Sequence, residues 1–249
     1  MGRLVILSGP SCVGKSPLLR ALRRLYPDLT TGLRPVVLYN DRSPRPGEQD
    51  GVDYYFRRRE EIEALRNREG FTVMEVRGDL QAFDLKEIRE TLAEADAFYE
   101  GNPFVGNALL DSPLADECET LSAFVSPLSR GEIAYLAAPE RNVSLPDLVT
   151  DVMRRKLLRR TVKQKGVPSQ KDLENVERRA GSAFRELKMA HRFGIVIPNH
   201  DGEDSENWDA FYYPLGDARR AVLAVADLLE GREPRAAEQW EETLLTGLD

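Results

Sequence analysis

Cysteine and histidine are scarce in this 249-residue chain, with only two of each. Cys12 and Cys118 lie far apart in sequence, which excludes a disulfide framework. His191 and His200 have no metal-ligand spacing, which argues against a metal site built from protein side chains alone. No apolar run approaches the length of a membrane span, and no basic-then-apolar signal precedes the first strand. The chain therefore reads as cytoplasmic, with no membrane partner. Positive charge is not in excess either. Lysine and arginine number 35 against 42 acidic residues, a net charge of −7, which speaks against a nucleic-acid binder working by bulk electrostatics. The length suits one large α/β domain, or a core with a small inserted lid.

The informative residues begin at once. Gly9, Pro10, Ser11, Cys12, Val13, Gly14, Lys15 and Ser16 fit the phosphate-loop pattern G-x-x-x-x-G-K-[ST]. Arg3 to Ser8 is a short aliphatic run of strand type, and Leu18 to Leu25 spaces its leucines as a helix does. Strand, glycine-bearing loop and helix start, in that order, are the context the pattern needs. Successive backbone N–H groups turn inward, and the helix start adds partial positive charge, so phosphate oxygens are held without a side chain for each. Lys15 would reach the outer phosphates, and the Ser16 hydroxyl would ligate Mg²⁺. A plain strand-to-helix turn is the bland alternative, and the correct flanks weigh against it. Nucleoside triphosphate binding is the inference.

A second region runs from Arg34 to Phe56. Residues 34–39 carry a strand signal, and Pro44, Pro46, Gly47 and Gly51 then force a shaped loop. Arg42 and Arg45 lie in that loop, with Tyr54 after it. A guanidinium fork suits bidentate grip on phosphate, and a tyrosine hydroxyl adds a donor. Alone, this would read as a solvated basic loop. Downstream of a phosphate-binding core it reads as a second phosphate site.

SGPSCVGKS followed by D-R-S-P-R-P-G-E-x-x-G-x-D-Y-Y-F resembles the guanylate kinase family. The resemblance implies an α/β P-loop NTPase fold: a parallel β-sheet core flanked by helices, a small NMP-binding-type insertion and a helical lid. It implies a single domain over 1–249, with core segments 1–33, 84–140 and 181–231, an acceptor-binding subdomain at 34–83, a lid at 141–180 and a tail at 232–249. Arg42, Arg45 and Tyr54 would hold the acceptor's phosphate, and ATP with Mg²⁺ would be the donor pair. Glu100 and Asn102 take the places of the two aspartates of the family's D-x-D strand end. That puts Glu100 near the metal with Ser16, and both residues near the acceptor. Asn199 matches the asparagine that lies by the adenine of ATP. The basic stretch of the lid holds three arginine pairs, from which Arg154, Arg159 and Arg178 are assigned to the transferring phosphoryl group.

Departures from the pattern bear on specificity. Leu38 stands where the family has a short polar residue, and Val73 where it has a base-reading glutamate. Gln81 stands at a phosphate-holding tyrosine, and Glu75 could replace the lost acceptor. Each guanine donor left unpaired costs about 1–3 kcal/mol. Pro17 removes one N–H that would meet the α-phosphate, worth about 1.5–3 kcal/mol.

Three functions therefore compete. They are a guanylate kinase-type phosphotransferase, a related kinase for another phosphorylated small molecule, and a non-catalytic binding module. Retention of Lys15 places the last one third. Asp217 to Glu230 reads as the closing core helix. Arg232 to Asp249, with Trp240, fits a packing tail or a homodimer contact equally.

Overall fold

The computed structural model describes residues 1–45 and 47–248; Pro46 of the shaped loop and Asp249 of the tail lie outside the described residues. In chain order the strands are β1 (Leu4–Ser8), β2 (Leu33–Pro35), β3 (Leu38–Asn40), β4 (Tyr54–Phe56), β5 (Phe71–Val76), β6 (Asp79–Asp84), β7 (Asp96–Gly101), β8 (Thr120–Ser126) and β9 (Ile195–Pro198). One sheet has the order β2-β7-β1-β8-β9 and the other β4-β3-β6-β5. In the first, β2 runs parallel to β7 and β8 parallel to β9. The helices are α1 (Lys15–Leu25), α2 (Pro27–Thr30), α3 (Arg59–Ala64), α4 (Leu85–Glu94), α5 (Pro103–Leu110), α6 (Leu114–Glu117), α7 (Arg130–Leu136), α8 (Leu145–Lys165), α9 (Gln170–Gly181), α10 (Ala183–Leu187) and α11 (Gly216–Leu229). This is the α/β architecture of P-loop proteins. All five residues of β1 are buried, as the unbroken apolar run of a central parallel strand requires.

The chain forms two compact units, one of residues 1–6, 32–99 and 104–120, the other of 7–31, 100–103 and 121–249. In the first unit, the strand expected over 34–39 is really two. β2 ends at Pro35, which has no N–H for a ladder, and β3 begins at Leu38 in the other sheet. In that sheet β3 and β5 flank β6 antiparallel, and β4 adds parallel to β3. Alternation along the strands sorts the side chains onto two faces. Tyr39, Phe71 and Val73 pack on the cluster of Ile62, Leu65, Leu80 and Ala82. The opposite face carries Leu38, Asn40, Tyr54, Phe56 and Gln81, which the register places beside one another.

In the second unit, α8 and α9 pack as a helical hairpin within the expected lid. Gly166, at φ 73°, ends α8 in a backbone geometry that suits glycine, and a capping box between Ser169 and Asp172 starts α9. α11 buries Ala218, Ala221, Val222, Val225 and Leu229, as expected of a closing helix. The tail packs on the sheet of its own unit. Glu238 pairs through its backbone with Val196 of β9, at 2.7 and 2.8 Å, and Trp240 and Leu245 are buried. It caps an edge strand that would otherwise present unpaired backbone groups.

Candidate active site

The P-loop is formed, and its glycines are there for steric reasons. A side-chain carbon at Gly9 would lie 2.4 Å from the Val125 carbonyl oxygen. Gly14 caps the start of α1 at φ 106°, and a carbon there would meet the Asn199 amide at 2.6 Å and the Asp201 carbonyl at 2.7 Å. Lys15 is buried at 6% exposure, its Nζ donating to the carbonyls of Gly9 at 2.7 Å and Pro10 at 2.9 Å. The ammonium is thus held against the loop's own backbone, with the Glu203 carboxylate within electrostatic reach. Cys12 sits at φ 68° and is fully buried. Burial, then the nearby Glu203 carboxylate, pushes its thiol up to about 12, so it is not a nucleophile. Pro17 occupies the third position of α1, where no intrahelical N–H is needed.

Ser16 Oγ donates to Glu100 Oε1 at 3.1 Å, so the hydroxyl and the carboxylate expected to share a metal are adjacent. Asn102 is turned away to Glu186, donating to its Oε1 at 3.0 Å. Among the described residues no group of three or more His, Cys, Asp or Glu could hold a metal.

Asn199 lies against the P-loop, but its amide is engaged there. Nδ2 donates to the carbonyls of Val13 at 2.7 Å and Asp201 at 2.8 Å, and Oδ1 accepts from the Asp201 N–H at 3.1 Å. In this arrangement Asn199 buttresses the loop. Lid arginines are likewise engaged with the chain's own carboxylates. Arg154 pairs with Glu177 at 2.8 Å, and Arg159, 63% exposed, pairs with Asp204 at 2.7 Å. Arg178 is exposed. The sheltered members of the last two pairs are Arg160 and Arg179. Although burial pushes the Glu203 carboxyl up, Arg160, Lys15 and Arg179 together hold it below the usual carboxylate range. Sequence reasoning missed Glu203 and Asp204 because nothing in G-E-D marks a contact with a helix some 40 residues earlier.

The expected acceptor-phosphate clamp lies in the first unit. Arg42 donates to Glu48 through both terminal nitrogens, at 2.7 Å each, and stacks over Tyr54 at 4.9 Å and Phe56 at 5.4 Å. Burial works against the Arg42 charge, yet Glu48 more than offsets it and raises its pKa. Glu48 also accepts from the Arg45 N–H at 2.8 Å, so one carboxylate sets both arginines. The glutamate of the P-G-E run was legible as a motif residue, though not in this role. Gln81 is buried on the clamp's face of the sheet, opposite Asn40. Asn40 accepts the Arg42 N–H through Oδ1 at 3.1 Å, and its Nδ2 is buried with no partner among the described residues. Two base-reading positions fall elsewhere. Val73 packs against the apolar cluster, and Glu75 stands on the cluster's face of the sheet, away from the clamp and 3.5 Å from Arg59. Leu38, on the clamp's face, is buried and apolar.

A parallel sheet whose first strand feeds a glycine-bounded loop, with a buried lysine and a hydroxyl at the next helix start, defines a P-loop phosphotransferase. Comparison with known proteins narrows the class. The family model "Guanylate kinase" matches residues 1–98. The chain is 30% identical over 217 residues to the guanylate kinase of Synechococcus sp. (strain JA-3-3Ab), spanning 86% of this chain and 83% of that one. It is 32% identical over 203 residues to that of Rhodococcus jostii (strain RHA1), spanning 80% and 81%. The crystal structure of guanylate kinase from Anaplasma phagocytophilum shares the fold, at TM-score 0.54 and 18% identity over 92% of this chain and 85% of that one. The chain belongs to the guanylate kinase family and is a nucleotide kinase.

Proposed function

We propose that this enzyme transfers the γ-phosphoryl group of ATP to the phosphate of GMP, giving ADP and GDP. The observation that carries this reading is the Arg42–Glu48 clamp with Tyr54, in a chain that also has a complete P-loop. A phosphate acceptor is already ionised, so no protein base is required; positioning and charge neutralisation do the catalytic work. Lys15 supplies positive charge to the outer phosphates of ATP. Ser16 and Glu100 offer a hydroxyl and a carboxylate oxygen side by side, a hard donor set that suits Mg²⁺ completed by phosphate oxygens and water. Bound there, the ion would neutralise phosphate charge. The α8–α9 hairpin serves as the lid and residues 34–83 as the acceptor-binding part. Two unbridged cysteines suit a reducing, cytoplasmic setting.

A second reading, a different phosphorylated acceptor, is favoured by one feature. The buried Leu38 and the core-packed Val73 offer no acceptor to a guanine's N1–H and N2–H₂. A coupled ADP-release assay with MgATP and GMP, dGMP, AMP, CMP, UMP or ribose 5-phosphate separates the two. Preference for GMP supports the first reading. Turnover of another acceptor without GMP supports the second, and turnover of none refutes both.

A further inference from the structure

We infer that Arg160 and Glu203 form a positioning pair that couples the lid helix α8 to the P-loop, so that Arg160 acts through the loop's geometry and not on the transferring phosphoryl group. The inference rests on the kinase reading above. A P-loop turns its N–H groups toward phosphate, which leaves carbonyls pointing outward that need donors of their own. Residues 199–203 supply those donors. Asn199 Nδ2 donates to the Val13 carbonyl at 2.7 Å, and the Glu203 N–H to the Cys12 carbonyl at 3.2 Å. The fit is close enough that a side-chain carbon on Gly202 would lie 2.5 Å from the Cys12 oxygen.

This supporting segment belongs to no helix or strand, and side chains add to the few backbone bonds that hold it. Trp208 Nε1 does so, donating to the carbonyls of Asp201 at 3.0 Å and Gly202 at 2.9 Å. A further set comes from one face of α8, where residues three and four apart are neighbours. Lys156 Nζ donates to the His200 carbonyl at 2.5 Å, Arg159 pairs with Asp204 at 2.7 Å, and Arg160 with Glu203 at 2.5 Å. Pairs on a helix surface usually contribute little. Arg160 and Glu203 differ in being sheltered, at 17% and 16% side-chain exposure, against 63% for Arg159. Removing either partner strands a charge beneath the loop that grips ATP, and the movement that relieves it runs through Glu203 to the Cys12 carbonyl.

The test is steady-state kinetics with MgATP and GMP on wild type, Glu203→Gln, Arg160→Gln and the double variant, alongside melting temperature. Each single variant should raise KM for MgATP by about tenfold, the factor one lost charge-assisted hydrogen bond carries. KM for GMP should hold and kcat stay within about twofold. The double variant should be no worse than the worse single one, as expected of partners in one interaction. Arg160→Lys and Glu203→Asp, which keep the charges, should recover part of the loss and serve where an uncharged variant fails to fold. A fall in kcat of about a hundredfold for Arg160→Gln, unmatched by Glu203→Gln, would overturn the inference by putting Arg160 on the reacting group. Lowered melting temperatures with unchanged KM for MgATP would also overturn it, by reducing the pair to packing. If wild type binds MgATP but phosphorylates no acceptor, the kinase reading fails separately, and calorimetric MgATP affinity still tests the pair.

Discussion

Replacing Glu48 with Gln probes the acceptor clamp without touching a residue expected to meet phosphate. The carboxylate gives Arg42 two hydrogen bonds of 2.7 Å and accepts the Arg45 N–H at 2.8 Å. Glutamine keeps one oxygen and no charge, so one charge-assisted bond is lost and the other weakened. A hydrogen bond to a charged group contributes about 1.5–3 kcal/mol. At 13% and 18% exposure the pair is only partly screened by solvent, so the lower end of that range is the working figure. At about 1.4 kcal/mol per factor of ten, KM for GMP should rise roughly tenfold. KM for MgATP should stay put, because Glu48 belongs to the clamp and not to the P-loop. The pH dependence adds a check. Burial raises the Glu48 carboxyl, but Arg42 and the Arg45 N–H hold it below its ordinary 4.5. A depressed acid contributes stability above its unfolded pKa and loses it as pH falls through the folded one. The gap in melting temperature between wild type and Glu48→Gln should therefore be full at pH 7 and shrink as pH drops below about 4.5. An unchanged KM for GMP, with Arg42→Gln raising it strongly, would refute the positioning argument.

Lys15→Met should cut kcat by at least about a hundredfold, since it removes the positive charge that the P-loop presents to the outer phosphates, and steady-state kinetics with MgATP and GMP checks this. Gly14→Ala should destabilise the fold by about 2–4 kcal/mol in denaturant titrations, from a positive φ of 106° plus overlap with Asn199 and Asp201. Cys12 should resist iodoacetamide at pH 8 in the folded chain and react only on unfolding, its thiol being buried with a pKa of about 12. His200 lies between Asp217 at 2.5 Å and Glu132 at 2.9 Å. Burial lowers its pKa, but the two carboxylates win and raise it. A raised histidine gives stability that is full below the unfolded pKa and lost as pH climbs through the folded value. Melting temperature should thus fall above about pH 6.5 in wild type and flatten in His200→Gln.

Local chemistry made much of this molecule legible in the chain itself. An aliphatic run, a glycine-bounded loop and a leucine-spaced helix specify the P-loop because each is a short-range preference: β-branched strand, glycine-only backbone, 3.6-residue period. Arg42, Arg45 and Tyr54 stand out for the same reason, as residue types suited to gripping phosphate. What lay beyond reach depended on partners distant in sequence. Nothing near Arg160 says that it, and not Arg159, turns to Glu203, because adjacent residues on a helix point about 100° apart and only packing chooses between them. Nothing near Val73 says that it faces the apolar cluster, since strand register decides which alternate residues turn to the core. Nothing near Asn199 says that its amide bonds to Val13 and Asp201, because Val13 comes within hydrogen-bonding reach only in the folded chain. The sequence by itself determined the donor-phosphate loop and the kind of chemistry. Tertiary structure decided which charged side chains are sheltered and paired, because burial and ion pairing are properties of what the fold brings together.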